Sequence, residues 1–432
     1  MGEQAQSPAW LDKAFVRTAL RHAYPANAHL EVLALQVAPA LGAGENYCSS
    51  LYRVAATTAV AAGSGGEGAA GEEHRVLVKV LPAGGEGEWA SLVAESRLFT
   101  KEAQVMADVL PEMMALLAEA AARAGQPPPP PFAARCLHHG KQPGPGAFLV
   151  LQDLSPEGFR MRERVVGLGA AEARVALRAL ARLHASSAVL LRRRPALFDG
   201  LLSIFDDAGR DTRSVYYPRS LRRTANTLAA WTDFPPHYAE KILALEDKFF
   251  PKLQEVNRPR PGKFNALIHG DFWTNNLLFR YEDDEVQDVR MVDFQLTHVG
   301  NPAIDLVLFR FVSLTEETFD SEWPALLEEY RAALAAALAS LAGPGDEERK
   351  QSVPAAPTAE ELRAWLTEAA PYAVLAACVW AASVRRDVGR LDLDAVVHSD
   401  DASRDVHTAP TFCRWLRKLV PVLEREGVLD AF

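Results

Sequence analysis

Cysteine is scarce in this 432-residue chain. The four thiols, Cys48, Cys136, Cys378 and Cys413, lie far apart, with neither CxxC nor zinc-type spacing. That excludes a thiolate metal site and a disulfide scaffold, and it fits a reducing compartment. Basic runs are equally thin. Arg192 to Arg194 is the longest cluster, and the formal net charge is −10, so neither a nucleic-acid backbone nor an anionic membrane is expected as a partner. No apolar run reaches the roughly 20 residues that span a bilayer. The nearest, Ala369 to Val384, is interrupted by Pro371 and reads as a buried helix. The first ten residues, MGEQAQSPAW, lack a basic then apolar leader, and Gln6 stands where a myristoylation signal needs Ser or Thr. The expectation is a cytoplasmic protein, acting as a monomer. No internal repeat is present.

What remains is a chain with enough apolar residues, 49%, to bury one large core or two unequal ones. Apolar spacing predicts a helix from Trp10 to His22, strands over Leu30–Leu41, Leu51–Thr57 and Arg75–Leu81, and a glycine turn between the first two strands. Residues 61–72, mostly Gly, Ala and Glu, read as a loop. A helix from Trp89 to Ala122 ends at the prolines 127–131, and Ala147–Leu151 is a further strand. Beyond residue 152 the pattern turns helical, for example over Ala170–Leu191 and Trp323–Leu341, with one strand-rich interval from Ala266 to Asp293. Gly343 to Pro357 reads as a surface loop. The expected organisation is α+β: a β lobe over 1–152 and a larger helical lobe over 153–432.

The sharpest chemical signal lies in that strand-rich interval, which runs His269-Gly270-Asp271-Phe272-Trp273-Thr274-Asn275-Asn276 and closes with Asp293-Phe294-Gln295. Leu277–Tyr281 and Val289–Val292 form two strands around a polar turn from Glu282 to Asp288, which makes an antiparallel hairpin. Asn276 precedes the first strand and Asp293 follows the second. Both therefore sit at the open end, where their oxygens can share one hard cation. Asp271, five residues before Asn276, is close enough to face the same point. Such oxygen ligands suit Mg2+ completed by nucleotide phosphates, with Asp271 accepting the proton of an attacking hydroxyl.

The HGDxWxxN pattern and the Asp293-Phe294-Gln295 triplet resemble the ecdysteroid kinase-like, or CHK kinase-like, family, which is related to aminoglycoside and choline phosphotransferases. Gly42-Ala43-Gly44-Glu45-Asn46-Tyr47-Cys48-Ser49 is similar to its phosphate loop, and Lys79, in Val76 to Pro82, to its lysine. Glu102 stands at the position of the acid that pairs with that lysine. Leu151 to Leu154 resembles the interlobe hinge, Leu180 to Ser186 the LxxLHA helix, and Gly300 to Leu306 the segment after the triplet.

The resemblance implies a protein-kinase-like bilobal fold with a small antiparallel β lobe and a large helical one. It also implies ATP held by Gly42, Gly44, Asn46, Ser49, Lys79 and Glu102, magnesium on Asn276 and Asp293, and catalysis by Asp271 and Asn276. The acceptor it implies is a hydroxyl of an ecdysteroid or similar polyhydroxylated lipophile. Choline, an aminoglycoside-like sugar and a xenobiotic alcohol stand as alternatives, with a non-catalytic pseudokinase behind them. A protein kinase is disfavoured, because no Ala-Pro-Glu segment follows the triplet. His269, His184 and Asp305 read as structural groups, Asp305 by bonding backbone N–H groups of the catalytic loop. Trp273 reads equally as acceptor wall or as packing.

Overall fold

A computed structural model of the chain describes residues 7–27, 29–40, 49–60, 71–81, 97–141, 147–206, 212–344, 347–385 and 406–432. The chain divides into two compact units, one of Met1–Val93 with Ala134–Glu157 and one of Ala94–Ala133 with Gly158–Phe432.

The first unit is a five-stranded antiparallel sheet in the order β1-β2-β3-β5-β4, built from β1 (Leu30–Pro39), β2 (Ser50–Val60), β3 (Glu72–Val80), β4 (Cys136–Lys141) and β5 (Ala147–Gln152). Val54 pairs with Val76 and Tyr52 with Val78. Strand alternation sends Tyr52, Val54, Val76, Val78, Phe148 and Val150 to one face. The amphipathic helix Lys13–Ala23 covers that face with Val16, Ala19 and Leu20. Asp12 caps this helix by accepting from the Phe15 N–H at 2.8 Å. Lys79 alternates with Val78 and Val80, so it leaves β3 on the face opposite this helix, where it is buried.

The second unit is mainly helical. The helix Ala170–Arg193 packs along Trp323–Ala342. Two small sheets lie beside them: β7 (Ala266–Ile268) with β10 (His298–Gly300), and β6 (Arg160–Met161) with β8 (Leu277–Glu282) and β9 (Glu285–Met291). The helix Leu98–Gln104 carries Glu102 and continues through a π turn into Leu110–Arg123. Sequence reading placed this segment with the β lobe; by contacts it groups with the helical unit. The tethers are long-range and polar. Lys101 Nζ donates to the Leu202 carbonyl at 2.9 Å, Gln104 Nε2 donates to the carbonyls of Leu197 and Asp199, and Arg194 pairs with Glu112 at 2.7 Å. Residues 89–96 of the expected helix lie outside the described residues, as does the glycine turn with Gly42, Gly44 and Asn46.

Two local expectations change. The hairpin turn is only Asp283-Asp284, both at positive φ (49° and 63°), because short polar side chains tolerate the left-handed region that a tight hairpin requires. Residues 285–288, expected in the turn, belong to β9 instead, with Glu285, Val286 and Asp288 paired to β8 and an irregularity at Gln287. Within 343–357, expected to be loop, Glu347–Ser352 forms a short helix with a Lys350–Glu347 pair one turn apart. Ala370–Val384 is a helix with a π turn at Ala376–Trp380, buried throughout except near Trp380 and Ser383. Among the described residues no single helix is long and apolar enough to cross a membrane.

Candidate active site

The site is built on the loop between β7 and β8. β7 is fully buried and ends at Ile268, so the chain emerges from the core at His269-Gly270-Asp271. Gly270 sits at φ +79°, and a Cβ there would collide with the Leu296 carbonyl oxygen. Only glycine makes this turn. The freed backbone donors are collected by Asp305, whose Oδ2 accepts the His269 N–H at 2.8 Å and whose Oδ1 accepts the Gly270 N–H at 2.9 Å. That is the bond pattern expected of Asp305.

Asp305 is completely buried, as is its third partner, His184, whose Nε2 lies 3.2 Å from Oδ2. A carboxylate only accepts, so Nε2 carries the hydrogen and Nδ1 accepts from the Tyr330 hydroxyl at 2.8 Å. Burial and the nearby Asp305 charge push the Tyr330 phenol well above its ordinary pKa, so it keeps its proton and donates. His184 is thus a satisfied core histidine. His269 is structural in the same way. Its Nδ1 accepts the Asp271 N–H at 3.3 Å and its Nε2 donates to the Val292 carbonyl at 3.2 Å, while burial pushes its pKa down and keeps the ring neutral.

Asp271 follows directly. Asn276 reaches back over the turn and donates through Nδ2 to the Asp271 carbonyl at 2.9 Å and to its Oδ2 at 2.7 Å. Both bonds use the amide nitrogen, which leaves Asn276 Oδ1 as a ligand oxygen. The hairpin then delivers Asp293: the Val292 N–H donates to the Asn276 carbonyl at 3.0 Å, closing the open end where the sequence places these two residues. Asp293 has a left-handed backbone at φ +67°, unusual for a residue with a side chain. Gln295 Nε2 donates to its Oδ2 at 3.3 Å.

Asp271, Asn276 and Asp293 therefore converge. Burial pushes the Asp271 carboxyl up to about 7, and the neighbouring Asp293 charge adds to the rise. Hydrogen bonds from the Asn276 and Trp273 side chains oppose it. Trp273 lies beside the Asp271 carboxyl. Two acids forced together beside an amide oxygen are a poor arrangement alone and a good one around a cation. Among the described residues no cluster of three or more His, Cys, Asp or Glu side chains would cage a metal. Two carboxylates and one amide oxygen are a donor set that suits a hard cation completed by water or phosphate.

The remaining expected residues within the described segments are Ser49, Lys79 and Glu102. Ser49 and Lys79 are buried in the first unit, and Glu102 is buried in the second. In the first unit the segment likened to the hinge is braced by Asp153, whose Oδ1 accepts from Ser155 and whose Oδ2 accepts from Arg53 at 2.9 Å. Sequence reading missed the Gln295 contact, signalled only by an amide two residues after the metal carboxylate. It also missed Tyr330, for which a lone tyrosine on an apolar helix face was the sole sign.

A model described as the ecdysteroid kinase-like family matches residues 43–343, a span that contains Lys79, Glu102, Asp271, Asn276 and Asp293. The chain belongs to the ecdysteroid kinase-like family. With that membership go the protein-kinase-like α+β architecture and small-molecule phosphotransferase activity. No curated protein matches significantly.

Solved structures similar to this ecdysteroid kinase-like chain are distant. A putative aminoglycoside phosphotransferase from Ralstonia eutropha is 12% identical, with 95% of this chain and 98% of that one covered and a TM-score of 0.42. An aminoglycoside phosphotransferase from Streptomyces rimosus is 15% identical, with coverages of 83% and 97% and a TM-score of 0.34. A choline/ethanolamine kinase family protein from Mesorhizobium loti is 13% identical, with coverages of 95% and 99% and a TM-score of 0.33.

Proposed function

We propose that the chain transfers the γ-phosphoryl group of ATP to a hydroxyl of an ecdysteroid or a similar polyhydroxylated lipophile. The observation that carries the chemistry is the Asp271 carboxylate, bonded by Asn276, set against Asp293 and shifted towards neutrality. Asp271 orients the acceptor hydroxyl and takes its proton, a task suited to a carboxyl whose pKa lies near the working pH. Asn276 has two roles: its nitrogen fixes Asp271 and its Oδ1 is a ligand. Asp293, with its Oδ2 steadied by Gln295, supplies the charged ligand. Asn276 and Asp293 would hold magnesium there, which would supply charge to offset that on the transferring phosphoryl group. Gly42, Gly44, Asn46, Ser49 and Lys79 are assigned to the nucleotide phosphates, and Glu102 to Lys79, on family resemblance.

The ecdysteroid acceptor rests on the family alone, by analogy. Incubation with magnesium, ATP and a mixed library of sterols, choline, aminoglycosides and xenobiotic alcohols tests it, with ADP release and product mass spectrometry as readouts. The expected product is a phosphorylated polyhydroxylated sterol. Phosphorylation of only choline or an aminoglycoside refutes the acceptor class, and no ADP release with any acceptor refutes the kinase reading.

A further inference from the structure

We infer that Ser313 and Arg385 are positioning residues for the catalytic loop, acting through the far end of the helix Ala303–Ser313. This rests on the kinase reading of that loop. The helix holds the loop at two points. Its first turn carries Asp305, bonded to His269 and Gly270. Its last residue, Ser313, reaches the other side of Asp271: Ser313 Oγ accepts the Thr274 N–H at 3.2 Å, and the Ser313 carbonyl accepts from Thr274 Oγ1 at 3.3 Å. Asp271 lies between the two anchors, and Asn276 lies one short helical turn beyond the second. Ser313 and Thr274 are both fully buried, so water cannot replace either bond.

What fixes Ser313 is Arg385. Residues 312–314 end the helix, where carbonyls lack intrahelical partners. Arg385 Nη2 donates to the Val312 carbonyl at 3.2 Å and to the Leu314 carbonyl at 3.0 Å, flanking Ser313 on both sides. Its Nη1 donates to the Val165 carbonyl at 3.2 Å, and its guanidinium lies 3.8 Å from the centre of the Trp415 ring. The Arg385 side chain is buried, and among the described residues it makes no ion pair and its Nε–H finds no partner. A buried cation spent on backbone carbonyls at a helix C-terminus complements the helix dipole. The segment after Val165 closes the same joint. The Leu168 N–H donates to the Ser313 carbonyl at 2.7 Å, and the Thr315 N–H donates to the Leu168 carbonyl at 3.0 Å. Gly167, at φ +85°, lies so close that a Cβ would stand 2.9 Å from the Ser313 and Leu314 carbonyl oxygens. The acids and amide of the site are thus registered against this hydrogen-bonded joint.

The test pairs Ser313→Ala, which deletes only the Oγ acceptor, with Arg385→Met, which keeps the stem and removes the donors. Amide exchange in a peptide covering Gly270 to Leu277 should accelerate in both variants, while the helix Trp323–Ala342 exchanges as in the wild type. With the phosphorylated acceptor from the library, kcat should fall by roughly 10–100-fold, the scale of a sub-ångström to 1 Å misplacement, with KM for ATP unchanged. Arg385→Met risks misfolding, and the Ser313→Ala arm then decides alone. Wild-type exchange in the loop of Ser313→Ala, or an unchanged kcat, overturns the inference. If the wild type phosphorylates nothing, the kinase reading fails separately and the exchange result still decides whether Ser313 and Arg385 hold the loop.

Discussion

Replacement of Asp305 by alanine removes one carboxylate that serves three buried donors: the backbone N–H groups of His269 and Gly270 and the Nε2–H of His184. Among the described residues none of these donors has an alternative partner, and His184, His269 and Asp305 are fully buried. An unsatisfied buried donor costs about 1–3 kcal/mol, so the variant should lose roughly 3–6 kcal/mol in the helical unit, with some recovered if water enters the space. Tyr330→Phe is the graded control. It strands only His184 Nδ1, for about 1–2 kcal/mol. Urea unfolding followed by tryptophan fluorescence measures both, with the Asp305→Ala midpoint far below that of Tyr330→Phe. Activity should fall in the same order, because the Asp305 bonds set where Asp271 emerges. If Asp305→Ala unfolded within about 1 kcal/mol of the wild type, or if Tyr330→Phe cost as much as Asp305→Ala, the reasoning about shared buried donors would be refuted.

Three further outcomes are expected. Gly270→Ala forces a Cβ against the Leu296 carbonyl at a φ that L residues disfavour, so it should abolish turnover and lower the thermal midpoint, whereas Gly262→Ala, at similar φ with nothing near its Cβ, should cost only about 1 kcal/mol. In EDTA, the Asp271 carboxyl binds its proton more tightly in the folded chain, near 7, than in the unfolded chain near its usual 3.8. The folded state therefore holds the extra proton, and wild-type stability should fall relative to Asp271→Asn as pH rises from 4 to 7, by up to about 4 kcal/mol. A parallel pH dependence in the two proteins contradicts the shift. Asp293→Asn removes the neighbouring charge and should move the Asp271 titration, followed by carboxyl-carbon NMR, to lower pH. An unmoved midpoint would show that the two acids do not interact.

Much of this site was legible because it is local. Asp271, Asn276 and Asp293 lie within one loop and one hairpin, and alternation of apolar residues in β8 and β9 was enough to place the last two at the same end. The exact turn was not legible, since Asp283-Asp284 is the reversal only because β9 opens with the exposed polar residues Glu285 and Gln287 and also takes in Asp288. The supports of the site were legible as types and not as contacts. Asp305 reads as an acid in an apolar setting, yet its meeting with His184 across 121 residues, and the meeting of His184 with Tyr330 across 146, depend on helix packing that periodicity does not specify. Nor does the pattern over 98–123 say which unit it joins: its apolar face fits any core, and the deciding groups, Lys101 and Gln104, are polar side chains seeking carbonyls far along the chain.

Calorimetric titration of ATP into the wild type and Asp293→Ala, each with and without magnesium, addresses the central claim without reference to any acceptor. Tight binding to the wild type that requires magnesium, and that Asp293→Ala loses, is the predicted result. Equal affinity in EDTA, or undiminished magnesium-dependent binding to Asp293→Ala, would contradict a cation held between Asn276 and Asp293.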